Sequence, residues 1–174
     1  MFWFKMISKF IKILHSNATS KQIGWGFALG AFTGLMPAAS PQSLIGLFII
    51  LLVNVNMGMA FLSAALFKII GLFLDMPADF LGSYLLIDTV QLKDFWTALY
   101  NTPIIPFTKF NNTVVLGNMI IALIAFVPLG LLGRKGVVFY REKLQEKVER
   151  FKIMKIFKAT KIYKWYKRLL MFKA

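Results

Sequence analysis

The chain reads as an all-α, polytopic helical membrane protein: a proline-broken helical hairpin, two main spans and amphipathic helices at both termini. Three observations predict this. Of 174 residues 58% are apolar while the formal charge is +14, and mean hydropathy is +0.67; a water-soluble domain has no reason to combine those extremes, whereas a membrane protein with basic aqueous ends does. Two uncharged apolar runs, 23–36 and 43–53, flank the break Gly34-Leu35-Met36-Pro37-Ala38-Ala39-Ser40-Pro41-Gln42. Finally, aromatic residues cluster beside lysines near the ends of apolar runs, where rings and snorkelling amines prefer an interface.

Residues 1–16 form the first region. Lys5, Lys9 and Lys12 share one helical face, and Met6, Ile7, Phe10, Ile11 and Leu14 populate another. This predicts an interfacial amphipathic helix with Phe2, Trp3 and Phe4 as its wedge. Lysines interrupt its apolar positions throughout, so it does not read as a cleaved signal segment. His15 closes it as a polar terminus; a proton switch is the rival role for an imidazole there.

The integral region spans 20–135. Asn17-Ala18-Thr19-Ser20 supplies capping residues for a helix carrying Gly26, Gly30 and Gly34 at four-residue spacing. Such a bare flank predicts close approach of another helix, expected to be 43–53. Pro37 disfavours helix in the residue before it and Pro41 suits a new first turn, so the chain stops and restarts between them. At 1.5 Å per residue the two arms are about 17–21 Å long, short of a ~30 Å hydrocarbon core. Residues 23–53 therefore predict a hairpin whose tip sits at membrane depth, shielded by protein; two thin spans with an outer turn are the alternative.

Asn54-Val55-Asn56 is a polar turn, and 57–74 is long enough to span. Its one charge, Lys68, either snorkels to the surface or faces a cavity where it binds an anion, and Asp75 lies seven residues on as an internal partner. Residues 75–107 read as an external, interfacial segment, since four of the chain's seven acids (Asp75, Asp79, Asp88, Asp94) lie there with a single lysine, Lys93. Its end, Asn101-Thr102-Pro103-Ile104-Ile105-Pro106-Phe107-Thr108-Lys109, is a second proline break, which raises an inverted pair of broken segments. Asn111, Asn112 and Asn118 open the returning span 113–133, as caps if exposed and in need of partners if buried. Gly133 is expected to stop it.

Residues 136–174 form a basic tail. Lys152, Lys155, Lys158, Lys161, Lys164 and Lys167 recur every third residue. A step of three lags about 60° per repeat on a helix of 3.6 residues per turn, so these lysines wind around the axis. Tethered to an apolar domain, such a tail suits anionic phospholipid better than nucleic acid. Lys5, Lys9, Lys12 and Lys21 precede the first apolar run and fourteen Lys/Arg follow from Arg134 onward, which places both termini on the cytoplasmic side.

The run Ile23-Gly24-Trp25-Gly26-Phe27-Ala28-Leu29-Gly30 through Pro37 and Gln42, then Asn56, resembles the start of the bacterial domain of unknown function 2062 family, and Asn101-Thr102-Pro103 with Pro106 and Gly117 resembles that family's asparagine-proline motif. Two departures mark a divergent subgroup. Ala38-Ala39-Ser40-Pro41 stands where the family usually carries a glycine before the glutamine, and 57–100 is longer than usual. The resemblance implies a small integral inner-membrane protein with a large envelope protein as partner; it carries no catalytic residues.

No catalytic set, cofactor loop or metal cluster stands out, and with no cysteine and one histidine thiolate chemistry and most metal sites are excluded. The expectation is a protein that is not an enzyme and that handles or presents phospholipid with an envelope partner. Its groove would be lined by Pro37, Ser40, Pro41, Gln42, Asn56, Lys68, Asn101, Pro103, Pro106 and Lys109, with Ser40, Gln42, Asn101, Lys68 and Lys109 as headgroup contacts. A small-solute or ion permease built on the two broken segments, and a membrane anchor or assembly factor, are the alternatives.

Overall fold

The computed structural model describes residues 2–145, all helix, turn and loop. Six α-helices follow in order: α1 Phe2–Leu14, α2 Ser20–Leu35, α3 Pro41–Leu52, α4 Met57–Ser83, α5 Lys93–Tyr100 and α6 Thr113–Phe139. The anionic-lipid lysines from Lys152 to Lys167 lie outside the described residues, as do the side chains of the Phe2-Trp3-Phe4 wedge.

Local chemistry sets the ends of the hairpin arms. Thr19 opens α2 through a capping box: the Gln22 amide N–H donates to Thr19 Oγ1 at 3.2 Å, and Gln22 Oε1 accepts from the Thr19 amide at 2.8 Å. The helix closes at Met36, whose extended backbone is what a following proline imposes. Ser40 then caps α3, with Pro41 in its first turn. Between them Ala39 takes a positive φ of 59°, the one left-handed residue the sharp reversal requires.

α2 is the central helix. Gly26, Gly30 and Gly34 meet Asn56, Ala60 and Ala64, each glycine facing the residue thirty positions later, so α2 and α4 run parallel. A Cβ at Gly26 would lie 2.8 Å from the Asn56 carbonyl oxygen, and those at Gly30 and Gly34 would fall inside the Ala60 and Ala64 carbonyls. This corrects the expected partner: the glycine flank is covered by α4, not α3. The reason is complementary size, because Ala60, Ser63 and Ala64 offer α4's own small face opposite Gly30 and Gly34, whereas on α3 Gly46 is set against Thr33. Ser63 Oγ donates to the Phe27 carbonyl at 2.7 Å and the Asn56 amide to the Gln22 carbonyl at 3.0 Å, which fixes the register.

α6 returns antiparallel across both. Thr113 passes Gly82 and Ala78 passes Gly117, while Gly24 fits 2.7 Å from the Gly130 carbonyl and 2.6 Å from the Arg134 amide, again measured from where a Cβ would stand. Gly133 does not end the helix; it lies against Gly24 and α6 continues to Phe139, so this glycine serves close approach. Likewise α4 does not end near residue 74. Asp75 and Asp79 are on the same helix, which runs through Pro77 to Ser83 and gives way to a π turn at Tyr84–Asp88. Small apolar clusters fill the gaps: Leu29, Ile50 and Ala60 near one end, and Leu35, Met36 and Ala122 with Phe67 and Leu74 near the tip.

The outside is apolar. Met57–Asp88 and Thr113–Leu144 are each long and apolar enough to cross a membrane, and only 22% and 28% of their most hydropathic windows is buried. Leu72, Phe73, Met76 and Phe80 of α4, and Ile124 and Leu132 of α6, are more than 60% exposed. α1 packs its C-terminal end on this framework, Ile13 lying against Gly58, and His15 Nδ1 is 2.8 Å from the Ile11 carbonyl as a helix-end contact. A second unit begins at Val138; its described residues include the end of α6 and a π turn, Tyr140–Leu144, with the Lys143 ammonium 5.3 Å from the Phe139 ring centroid.

Candidate functional site

The site grows from the broken end of α2. A helix that stops leaves its last carbonyls unpaired, and here the Lys68 ammonium donates to the Met36 carbonyl at 2.9 Å. A cation at a helix C-terminus also meets the negative end of the peptide dipoles. Lys68 is the one charged residue in 57–74 and is exposed on the apolar outer surface, so its ammonium reaches inward where an ordinary snorkelling lysine reaches outward.

Lys68 stands eleven residues into α4, so the hairpin tip meets α4 about 17 Å along its length and leaves about 22 Å of that helix beyond the tip. The second proline break occupies part of this space. A 3₁₀ turn at Ile105–Thr108 comes down onto the start of α3, and Gln42 Nε2 donates to the Thr108 carbonyl at 2.7 Å. Gln42 is 8% exposed and its Oε1 has no hydrogen-bond partner. Ile104 and Lys109, on either side of that turn, both take positive φ, 75° and 58°. A β-branched residue in that region costs about 1–3 kcal/mol, so the surrounding contacts hold the turn in place.

Beside the tip lies a cavity of about 190 Å³ lined by Gly34, Leu35, Pro37, Lys68, Gly71, Leu72, Asp75, Val114, Val115 and Asn118. Its polar wall is Lys68, Asp75 and Asn118. Asn118 is 5% exposed; its Nδ2 lies 3.5 Å from Asp75 Oδ1, a long bond, and its Oδ1 has no partner. A buried amide oxygen left unpaired costs about 1–3 kcal/mol, so Asn118 Oδ1 is an acceptor open to a donor entering the cavity.

The structure brings only part of the sequence-derived groove together. Pro37 and Lys68 share the cavity, and Gln42 joins the second break. Pro41 serves as the first residue of α3 and Ser40 is buried, its hydroxyl oxygen accepting from the Ser43 amide at 3.3 Å, so Ser40 is a cap and not a headgroup contact. Asn56 is at the other end of α2, where its side chain caps α4 by accepting from the Met59 amide at 2.8 Å. Asn101 caps the end of α5 and is exposed with Pro103; Pro106 is half-buried and Lys109 exposed. None of these four lines the cavity. Asn112 caps α6 by accepting from the Val115 amide, leaving Asn118 as the buried member of the three asparagines. Asp75 was foreseen as a partner for Lys68; instead the ammonium goes to Met36, and Asp75 and Asn118 together form the acceptor side that the sequence did not disclose. Asp79, one turn on, accepts from the Thr113 hydroxyl and ties α4 to α6.

Among the described residues no group of three or more His, Cys, Asp or Glu could hold a metal ion. An uncharacterized protein of Treponema pallidum (strain Nichols) is 26% identical over 135 residues, covering 78% of this chain and 83% of the relative. No solved structure matches the chain. The family model described as "Uncharacterized protein conserved in bacteria (DUF2062)" matches residues 5–146, most of the 174 residues, and the chain belongs to that family.

Proposed function

We propose that the protein is an integral component of the bacterial inner membrane that handles or presents phospholipid at the place where its two proline breaks meet, without enzymatic chemistry and in company with an envelope partner. The observation that carries this reading is Lys68: an exposed cation and the one charge in the apolar stretch 57–74, lining a cavity whose other polar groups are Asp75 and Asn118. A charge at that depth is expensive in hydrocarbon unless it meets a fixed partner or a polar ligand, and an acyl-chain environment supplies headgroups. The exposed apolar belt on α3, α4 and α6 supports the bilayer as the surrounding solvent. The start of α2 and Arg134 of α6 share one end of the bundle, which is in keeping with both termini being cytoplasmic and with a hairpin re-entering from that side. The turn, capped by the second break, then sits where irregular backbone is tolerated.

The test is reconstitution into liposomes carrying a headgroup-labelled phospholipid. The native chain is expected to move label between leaflets, or to hand it to acceptor vesicles, at least several-fold above protein-free liposomes. Lys68→Met should bring this to background while leaving the helical content intact. Equal rates for native chain, variant and empty liposomes would overturn the reading.

A further inference from the structure

We propose that the cavity at the end of α2 takes a zwitterionic aminophosphate headgroup, its phosphate on Lys68 and its primary ammonium between Asp75 and Asn118; this rests on the reading that the chain handles phospholipid. The lining decides the charge type. Lys68 and Asp75 cancel, so a simple anion gains the lysine but meets the carboxylate, and a simple cation does the reverse. A zwitterion satisfies both. Hydrogen-bond inventory decides the rest. An ammonium has three donors and Lys68 spends one on the Met36 carbonyl, leaving donors for phosphate oxygens. On the opposite wall the Asp75 carboxylate has only the long contact from Asn118, and Asn118 Oδ1 has no partner at all. Both are acceptors, so they call for N–H donors. A primary ammonium has them, and a quaternary choline nitrogen has none.

Size and access agree. The cavity of about 190 Å³ has room for a phosphate with a two-carbon amine and too little for acyl chains. The lining residue Leu72 is 71% exposed, with Phe73 and Met76 next to it at 79% and 84%, so the chains of a bound lipid would lie on the apolar outer face of α4 while the headgroup turns inward.

The test is native mass spectrometry of the full chain released from nanodiscs containing equal parts phosphatidylethanolamine, phosphatidylcholine and phosphatidylglycerol with identical acyl chains. Phosphatidylethanolamine adducts should exceed phosphatidylcholine adducts about tenfold. Asp75→Asn should bring the two near parity, and Asn118→Leu should reduce the ratio several-fold. The native ratio alone is decisive if either variant does not fold. Adducts that ignore headgroup, or that favour phosphatidylglycerol, without saturable binding of free phosphoethanolamine overturn this assignment and leave lipid handling standing. An absence of retained lipid in every arm overturns both. A parallel titration with free phosphoethanolamine separates the sources: saturable binding of the soluble compound with no enrichment of the lipid keeps the headgroup chemistry and removes the membrane as its origin.

Discussion

The two arms of the hairpin, α2 and α3, are both apolar, yet they bury in opposite ways. Ten of the sixteen residues of α2 are buried, and among them are Gly24, Gly26, Gly30 and Gly34. In α3 the buried residues are Gln42, Ser43, Gly46 and Ile50, while Leu44, Ile45, Phe48, Leu51 and Leu52 are more than half exposed. The helix with the polar and small residues is the core, and the greasier one is the rind. In water that order is upside down, because burial of large side chains is the driving force. In hydrocarbon it is natural: lipid tails solvate leucine as well as protein does, and what holds helices together is the close approach that small residues allow.

The largest expected effect follows from the tight seam. Gly30→Ala places a Cβ inside the Ala60 carbonyl, a backbone atom that cannot rotate away. It should destabilise the bundle by about 3 kcal/mol or more, since overpacking typically costs about 1–3 and here the obstacle is rigid. The Cβ of Gly46→Ala on the other arm would stand 2.5 Å from Thr33 Oγ1, a side-chain atom that can turn away only by giving up its bond to the Leu29 carbonyl; about 1 kcal/mol of helix propensity offsets this, so its net loss should stay at about 1–2 kcal/mol. Thermal melting of the two variants in the same detergent checks this. Equal losses would mean that glycine spacing is not what distinguishes the arms.

Next in size is the rind itself. Leu51 is 65% exposed. If it faces lipid, Leu51→Arg costs about 2.5–3.5 kcal/mol of insertion free energy at mid-depth, and less near an interface. Membrane-fraction yield should then fall severalfold. A water-facing position would tolerate the arginine, and unchanged yield would turn the apolar face of α3 into a surface awaiting a protein partner.

How much of this was legible beforehand follows the same division. The proline break, the capping before α2 and the glycine flank of α2 were readable because each is a local signal with one geometric meaning. The partner of that flank was not, since α3 is nearer in sequence and only the small face of α4, spread over Ala60, Ser63 and Ala64, tells against it. Gly82, Gly117, Gly130 and Gly133 are isolated in sequence and acquire meaning only when α6 lies antiparallel across α2 and α4. Gly133 was misread as a stop for that reason. At the site, Lys68 was visible as a lone charge, whereas its acceptor wall required Asp75 and Asn118 to come from different helices. Ser40 and Asn56 were drawn into the groove by polarity alone, and the structure spends both on caps.

The smallest effect concerns the tip. Gln42 is the side chain that fastens the first break to the second, through the Thr108 carbonyl. Gln42→Leu removes a net contribution of about 0.5–1.5 kcal/mol and leaves that carbonyl to find another donor, so melting should shift little. What should change is access. The chain has no cysteine, so Ala38→Cys introduces a single thiol on an exposed residue of the turn. If the turn lies at membrane depth beneath the second break, a bulky, membrane-impermeant maleimide should label it slowly from either face in membrane vesicles. Adding Gln42→Leu should speed labelling several-fold as that contact loosens. Rapid labelling of the single cysteine with Gln42 intact would make the turn an ordinary aqueous loop and the two arms a pair of thin spans. In that case α2 would be buried by α4 and α6 alone, and the contrast between the arms would no longer need a re-entrant hairpin.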